Sequence, residues 1–106
     1  MKQYNKLVRD RVPAMLLAGG HNPVSKTVVG EELMAALRAK VDEELAEYDA
    51  AIDDDKAVEE LADLLEVIMA IATERGGDEA RIGKLRAAKT LERGAFGKGQ
   101  FLIKAE

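Results

Sequence analysis

The 106 residues leave room for one domain with one core, and with no cysteine they supply neither a disulfide framework nor a thiolate for a zinc site or a nucleophile. A formal charge of −4 argues against binding a nucleic acid polymer, which draws its free energy from basic surface, and no apolar run is long enough to span a bilayer. Residues 1–106 are therefore expected to form a single all-α domain of the reducing cytoplasm, with no membrane partner; 34% charged residues and only two Tyr and two Phe suit a fold built on Ala, Leu and Glu.

The opening MKQYNKLVRDR is basic but is followed by no apolar stretch, so it is expected to belong to the mature fold rather than to a secretory signal. Asp10 is placed to cap a short helix that tolerates Pro13 in its first turn, carries Val12, Leu16 and Leu17, and stops at Gly19-Gly20. His21 to Val29, with Pro23 and the alternation Val24, Lys26, Val28, predicts an extended connector lying along a bundle rather than a paired strand. From about Gly30 to Ala51 the residues Met34, Leu37, Val41, Leu45 and Tyr48 recur by threes and fours, the pattern of one helical stripe.

Any of Asp53, Asp54 and Asp55 caps the next helix, which runs from Lys56 to Arg75 and stops at Gly76-Gly77, so the two long helices form an antiparallel hairpin. Asp78 caps a fourth helix to about Arg93, and Gly94, Gly97 and Gly99 then leave a tail with Phe96 and Phe101. The third helix is apolar on two sides, with Leu61, Leu65, Ile68 and Ala72 on one and Leu64, Val67 and Ile71 on the other. One partner helix does not cover both. A four-helix bundle completed by homo-oligomerisation, as a homodimer or homotetramer, removes the exposed patch; the alternative is that the first helix and the tail cover it within one chain.

The two long helices each hold an acidic pair at i, i+3: Glu44 and Glu47 in KVDEELAEY, and Glu60 and Asp63 in EELADL. At about 100° per residue both pairs fall at the edge of an apolar stripe and are expected to look inward, whereas Glu59 and Glu66 are expected to be solvated. Antiparallel packing brings four carboxylates together, and burying even one unpaired charge costs several kcal/mol unless a cation compensates. Oxygen ligands alone favour a hard ion, Mg²⁺ or Mn²⁺, whose chemistry suits a phosphoanhydride. The bland alternative is a pair of solvated acidic faces, since E-x-x-E and E-x-x-D are common on acidic helices.

Glu43-Glu44-x-x-Glu47 followed by Glu60-x-x-Asp63 resembles the signature of the all-alpha nucleotide pyrophosphohydrolase superfamily, which includes MazG-type enzymes, dimeric dUTPases and phosphoribosyl-ATP pyrophosphohydrolases. Tyr4-Asn5-Lys6-Leu7-Val8-Arg9-Asp10-Arg11-Val12-Pro13 is similar to the opening of a small phosphoribosyl-ATP pyrophosphohydrolase-like branch. Lys89-Thr90-Leu91-Glu92-Arg93-Gly94-Ala95-Phe96 resembles that branch's terminal motif, with Ala95 in place of a second glycine. The resemblance spans nearly the whole chain and implies a MazG-like bundle.

It further implies that Glu44, Glu47, Glu60 and Asp63 hold magnesium, with Glu43 and Glu44 as the catalytic candidates, Glu43 for orienting or deprotonating the water. The substrate is then a nucleoside triphosphate or similar nucleotide, cleaved at the α-phosphorus to the monophosphate and pyrophosphate. Lys40 stands either as a phosphate-neutralising group or as an i, i+4 ion-pair partner of Glu44. Lys89 and Arg93 are favoured as phosphate contacts because the terminal motif includes them; Lys6 and Arg9 are substrate-binding candidates by the opening motif, the alternative being that Arg9 is an exposed neighbour of the Asp10 cap; Arg81 and Lys84 are expected to be solvated. His21 is assigned no role. Nucleotide-pool clean-up ranks first, and the alternatives are the phosphoribosyl-ATP reaction of histidine biosynthesis and a helical sensor or interaction module that does not hydrolyse.

Overall fold

The structure, a computed structural model, describes residues 2–106. Four helices follow in order, α1 Val12–Ala18, α2 Gly30–Asp49, α3 Asp54–Glu74 and α4 Glu79–Arg93, and the described residues form no strand. The all-α class expected from the composition is what the chain adopts. Residues 21–29 carry no regular secondary structure, and Lys26 forms a solvent-exposed ion pair with Glu32 of α2 at 2.9 Å.

The caps explain where the helices begin. Asp53 and Asp78 sit in extended backbone ahead of α3 and α4 and accept hydrogen bonds at 2.8 Å from the backbone N–H of Lys56 and Arg81, three residues on. Asp10 does not cap α1. The cap position is held by Arg11 in a helical conformation, without a side-chain hydrogen bond, because a turn closed by the Val12 N–H on the Arg9 carbonyl leads straight into the helix. At the other end of α4, Gly94 has φ 81° and ψ 177°, a region open essentially to glycine alone. Asn5 is the one non-glycine among the described residues with positive φ, so Ala95 in place of a second glycine introduces no backbone strain.

α2 and α3 pack along their length, joined by the turn at 50–53, whereas α4 touches α3 but not α2. Leu37 and Val67 are the buried hydrophobic residues, and Glu44 and Glu60 are buried with them. Leu37 precedes Glu44 by one heptad on α2, and Glu60 precedes Val67 by one heptad on α3. In antiparallel register the two apolar residues therefore share one level and the two glutamates the next.

Of the two apolar sides of α3, the one with Leu64, Val67 and Ile71 faces the hairpin, and Leu61, Leu65 and Ile68 on the other are 41–49% exposed. Neither α1 nor the tail covers that side. The whole chain exposes 9551 Å², against about 5,800 Å² for a monomeric protein of its 11.5 kDa mass. Its radius of gyration is 17.8 Å where about 13 Å is usual for this length. No helix among the described residues is long and apolar enough to cross a membrane.

Candidate functional site

The site is built where the hairpin buries acid. Glu44 follows Leu37 and Val41 on the packed side of α2, and Glu60 precedes Leu64 and Val67 on the packed side of α3, so both carboxylates are carried inward by the apolar residues around them. Carboxylate oxygens of Glu44, Glu47 and Glu60 lie within 4.8 Å of one another. Glu47, one turn after Glu44, is at the exposed mouth rather than inside, which corrects the expectation that it looks inward: the i+3 step rotates it past the edge of the buried stripe. Glu59 and Glu66 are exposed, as their position on the far side of α3 requires.

Lysines compensate only part of this charge. Lys40 Nζ stands 3.6 Å from Glu44 and Lys56 Nζ 3.7 Å from Glu60, both one turn earlier on the same helix. The Oε2 atoms of Glu44 and Glu60 are buried with no hydrogen-bond partner. Burial, then the neighbouring Glu47 carboxylate, pushes the Glu44 carboxyl above its ordinary range against the pull of Lys40. Burial raises Glu60 as well, with Glu47 again the strongest neighbour. Two carboxyls displaced in the same direction by desolvation and by the shared Glu47 neighbour are acids short of a counter-charge.

Around this centre lies a set of ion pairs that joins the N-terminal lead to both long helices. Lys6 Nζ donates to Glu43 Oε1 at 2.6 Å, and Lys40 Nζ donates to Glu43 Oε2 at 3.0 Å. Partial burial alone raises the Glu43 carboxyl, but the two ammoniums outweigh it and hold Glu43 below its ordinary range. The same hydrogen bond raises Lys6. Arg9 donates to Asp63 Oδ1 at 2.9 Å, with Asp63 half-buried beside the three glutamates and outside their 4.8 Å cluster.

Six of the residues singled out from the sequence on α2 and α3, namely Lys40, Glu43, Glu44, Glu47, Glu60 and Asp63, thus share one region, and Lys6 and Arg9 reach it from the lead. The opening motif had no geometric explanation in the sequence; its Lys6 and Arg9, three residues apart, prove to span the hairpin from Glu43 to Asp63. Lys89 and Arg93 are not brought to it within the chain. Both are exposed on α4, which does not touch α2, and neither forms an ion pair among the described residues. Lys56 was not singled out, although its i, i+4 spacing to Glu60 on an acidic helix is a signal that finds it.

The cluster fits a small hard cation. Its three oxygens lie within 4.8 Å of one another, a little beyond the roughly 4.2 Å between opposite ligands of an octahedral magnesium ion, and two of the three donors have an unpartnered oxygen to offer. The cluster opens to solvent on the side of Glu47.

No family model matches the chain, and no solved structure matches it. It is similar to an uncharacterized protein of Mycolicibacterium smegmatis, at 50% identity over 54 residues, or 51% of this chain and 55% of that protein. The match thus spans about half the length of that relative.

Proposed function

We propose that the protein is a magnesium-dependent nucleotide pyrophosphohydrolase of the all-alpha superfamily, acting as a homo-oligomer on a nucleoside triphosphate or a nucleotide of similar shape. The observation that carries this reading is the pair of buried, unpartnered oxygens on Glu44 and Glu60 in a three-carboxylate cluster. Uncompensated acid in the packed face of a helical hairpin either takes up a proton or is balanced by a cation, and the shared opening at Glu47 favours the cation. The motif resemblance across the opening segment, the two acidic pairs and the terminal segment supplies the reaction class.

Glu44, Glu47 and Glu60 would hold the ion, with Asp63 joining them where Arg9 turns to substrate. The bound ion would polarise a phosphoryl oxygen and favour deprotonation of water. Both oxygens of Glu43 accept from lysines, so Glu43 positions Lys6 and Lys40, and once those lysines turn to the phosphates it would be free to orient or deprotonate the attacking water. Water oxygen bonds to the α-phosphorus, the bond from that phosphorus to the bridging oxygen breaks, and pyrophosphate departs. Lys6, Lys40 and Arg9 would stabilise the charge gathering on the phosphates. Nucleotide-pool clean-up ranks first because the opening motif resembles an uncharacterised branch rather than the histidine-biosynthesis enzymes themselves.

The test is pyrophosphate release from canonical and modified nucleoside triphosphates and from phosphoribosyl-ATP, with magnesium and with EDTA, using Glu60→Gln as control. Release that needs magnesium and falls at least about 100-fold in the variant is expected, since even groups that only support a metal's ligands are commonly worth 10- to 100-fold. Folded wild-type protein that releases nothing from any compound would sink the reading.

A further inference from the structure

The C-terminal third of the chain makes almost no use of its own chemistry. Beyond α4, Phe96, Phe101, Leu102 and Ile103 are 80–98% exposed, an apolar segment of the kind that stays in water only when its covering surface is on another molecule. The same chain leaves a matching surface bare: Val58, Leu61, Leu65 and Ile68 form a stripe on the outer side of α3. The stripe covers eleven residues of helix, about 15 Å from first to last, and Phe96 to Ile103 in extended form reaches about 23 Å. Charge divides the chain in the same way. Residues 79–106 carry a net +4 and the preceding residues −8, so the basic end has an acidic body to meet.

We infer that the arm following α4, Phe96 to Ile103, docks on the outer face of α3 of a second copy of this chain, exchanging arms in a symmetric homodimer. A second copy is the occupant because one molecule carries both complementary surfaces, apolar and charged, and joins neither to itself. The area supports it: the chain exposes about 3,700 Å² more than a monomer of its mass, several times the roughly 800 Å² per partner of a standard interface. In a two-fold dimer each arm finds the other's face, so the contact closes and does not propagate into a filament. This inference rests on the homo-oligomeric part of the reading above and is independent of the hydrolytic part.

Sedimentation equilibrium tests it on the full chain, comparing wild type with the triple variant Phe101→Ser/Leu102→Ser/Ile103→Ser. The arm lies outside every helix, so helicity by circular dichroism should be unchanged while the dimer dissociation constant rises at least 100-fold. Since the chain has no cysteine, mixing Leu102→Cys protein with Leu65→Cys protein under oxidising conditions should give a mixed disulfide between the two variants. Wild type that is monomeric at tens of micromolar overturns both the dimer and the arm exchange. A dimer retained at full affinity by the triple variant, or one that yields no mixed disulfide, overturns the arm exchange alone and leaves direct pairing of α3 faces in its place. Neither readout depends on turnover, so failure here is distinct from failure of the pyrophosphate assay.

Discussion

The α2–α3 hairpin and the α4 arm invert each other's pattern. The hairpin buries Glu44 and Glu60, groups that belong in water, and the arm exposes Phe96, Phe101, Leu102 and Ile103, groups that belong out of it. Either state alone is costly, and they call for different remedies. The buried oxygens are relieved by a proton or a cation, while the exposed side chains need a few hundred Å² of apolar cover. An isolated chain thus displays two deficits of different chemistry, and altering one should leave the other untouched.

The largest separation is expected with magnesium. At a concentration of 100 times its dissociation constant, an ion that binds only the folded state adds about 2.7 kcal/mol, which is roughly 10–20 °C in melting temperature for a domain of this size. Wild type should show a shift of this order in thermal unfolding, the triple arm variant should keep its ion dependence, and the Glu44→Gln/Glu60→Gln double variant should show none. An undiminished shift in the double variant would put the ion elsewhere.

A smaller effect of opposite sign is expected without metal. Glu60→Gln replaces a carboxylate that has one buried, unpartnered oxygen by an amide able to donate to Glu47, and should stabilise EDTA-treated protein while removing turnover. Denaturant unfolding reads this directly, and destabilisation would show that Lys56 already satisfies the charge. Arg9→Ala separates anchoring from substrate contact. The pair with Asp63 is substantially exposed, so its loss should cost no more than about 1 kcal/mol of stability; a rise in KM with an unchanged melting temperature would mark Arg9 as a phosphate ligand.

The smallest expected effect is on pH dependence. Folding raises Glu44 and Glu60 above the ordinary value of 4.5, so protons favour the folded state, and metal-free stability should climb as pH falls from neutrality through the folded values. Glu43 is lowered and contributes with the reverse sign: its stabilisation is present above 4.5 and is lost as pH falls through its depressed folded value. A melting temperature in EDTA that rises on acidification and then turns over below about 4.5 is the expected profile. Saturating magnesium should flatten the rise, because bound cation takes the place of the protons.

Much of the hairpin was legible because helix periodicity and caps are local properties. The stripe from Met34 to Tyr48, the aspartates at 53 and 78 and the glycines after Arg75 and Arg93 act within one or two turns, and α3 and α4 begin and end within two residues of their signals. Asp10 was misread because it has the right side chain for a cap, but the turn made by Arg9 and Val12 moves the helix start one residue on. The acidic pairs were visible as spacing, and their burial was not. A rotation of about 100° per residue says which residues are neighbours on a helix, but only the position of α3 against α2 decided that Glu44 and Glu60 go inside while Glu47 stays at the mouth.

The sequence by itself determined an all-α chain, the bounds of its two long helices and the grouping of its acids, because these follow from short-range periodicity and from side chains bonding to nearby backbone. Tertiary structure alone decided that Lys6 and Arg9 cross from the lead to Glu43 and Asp63, that Lys89 and Arg93 stay away from the acids, and that the arm is left bare. Those outcomes depend on which helices pack together, a balance of burial and desolvation summed over residues far apart in the chain.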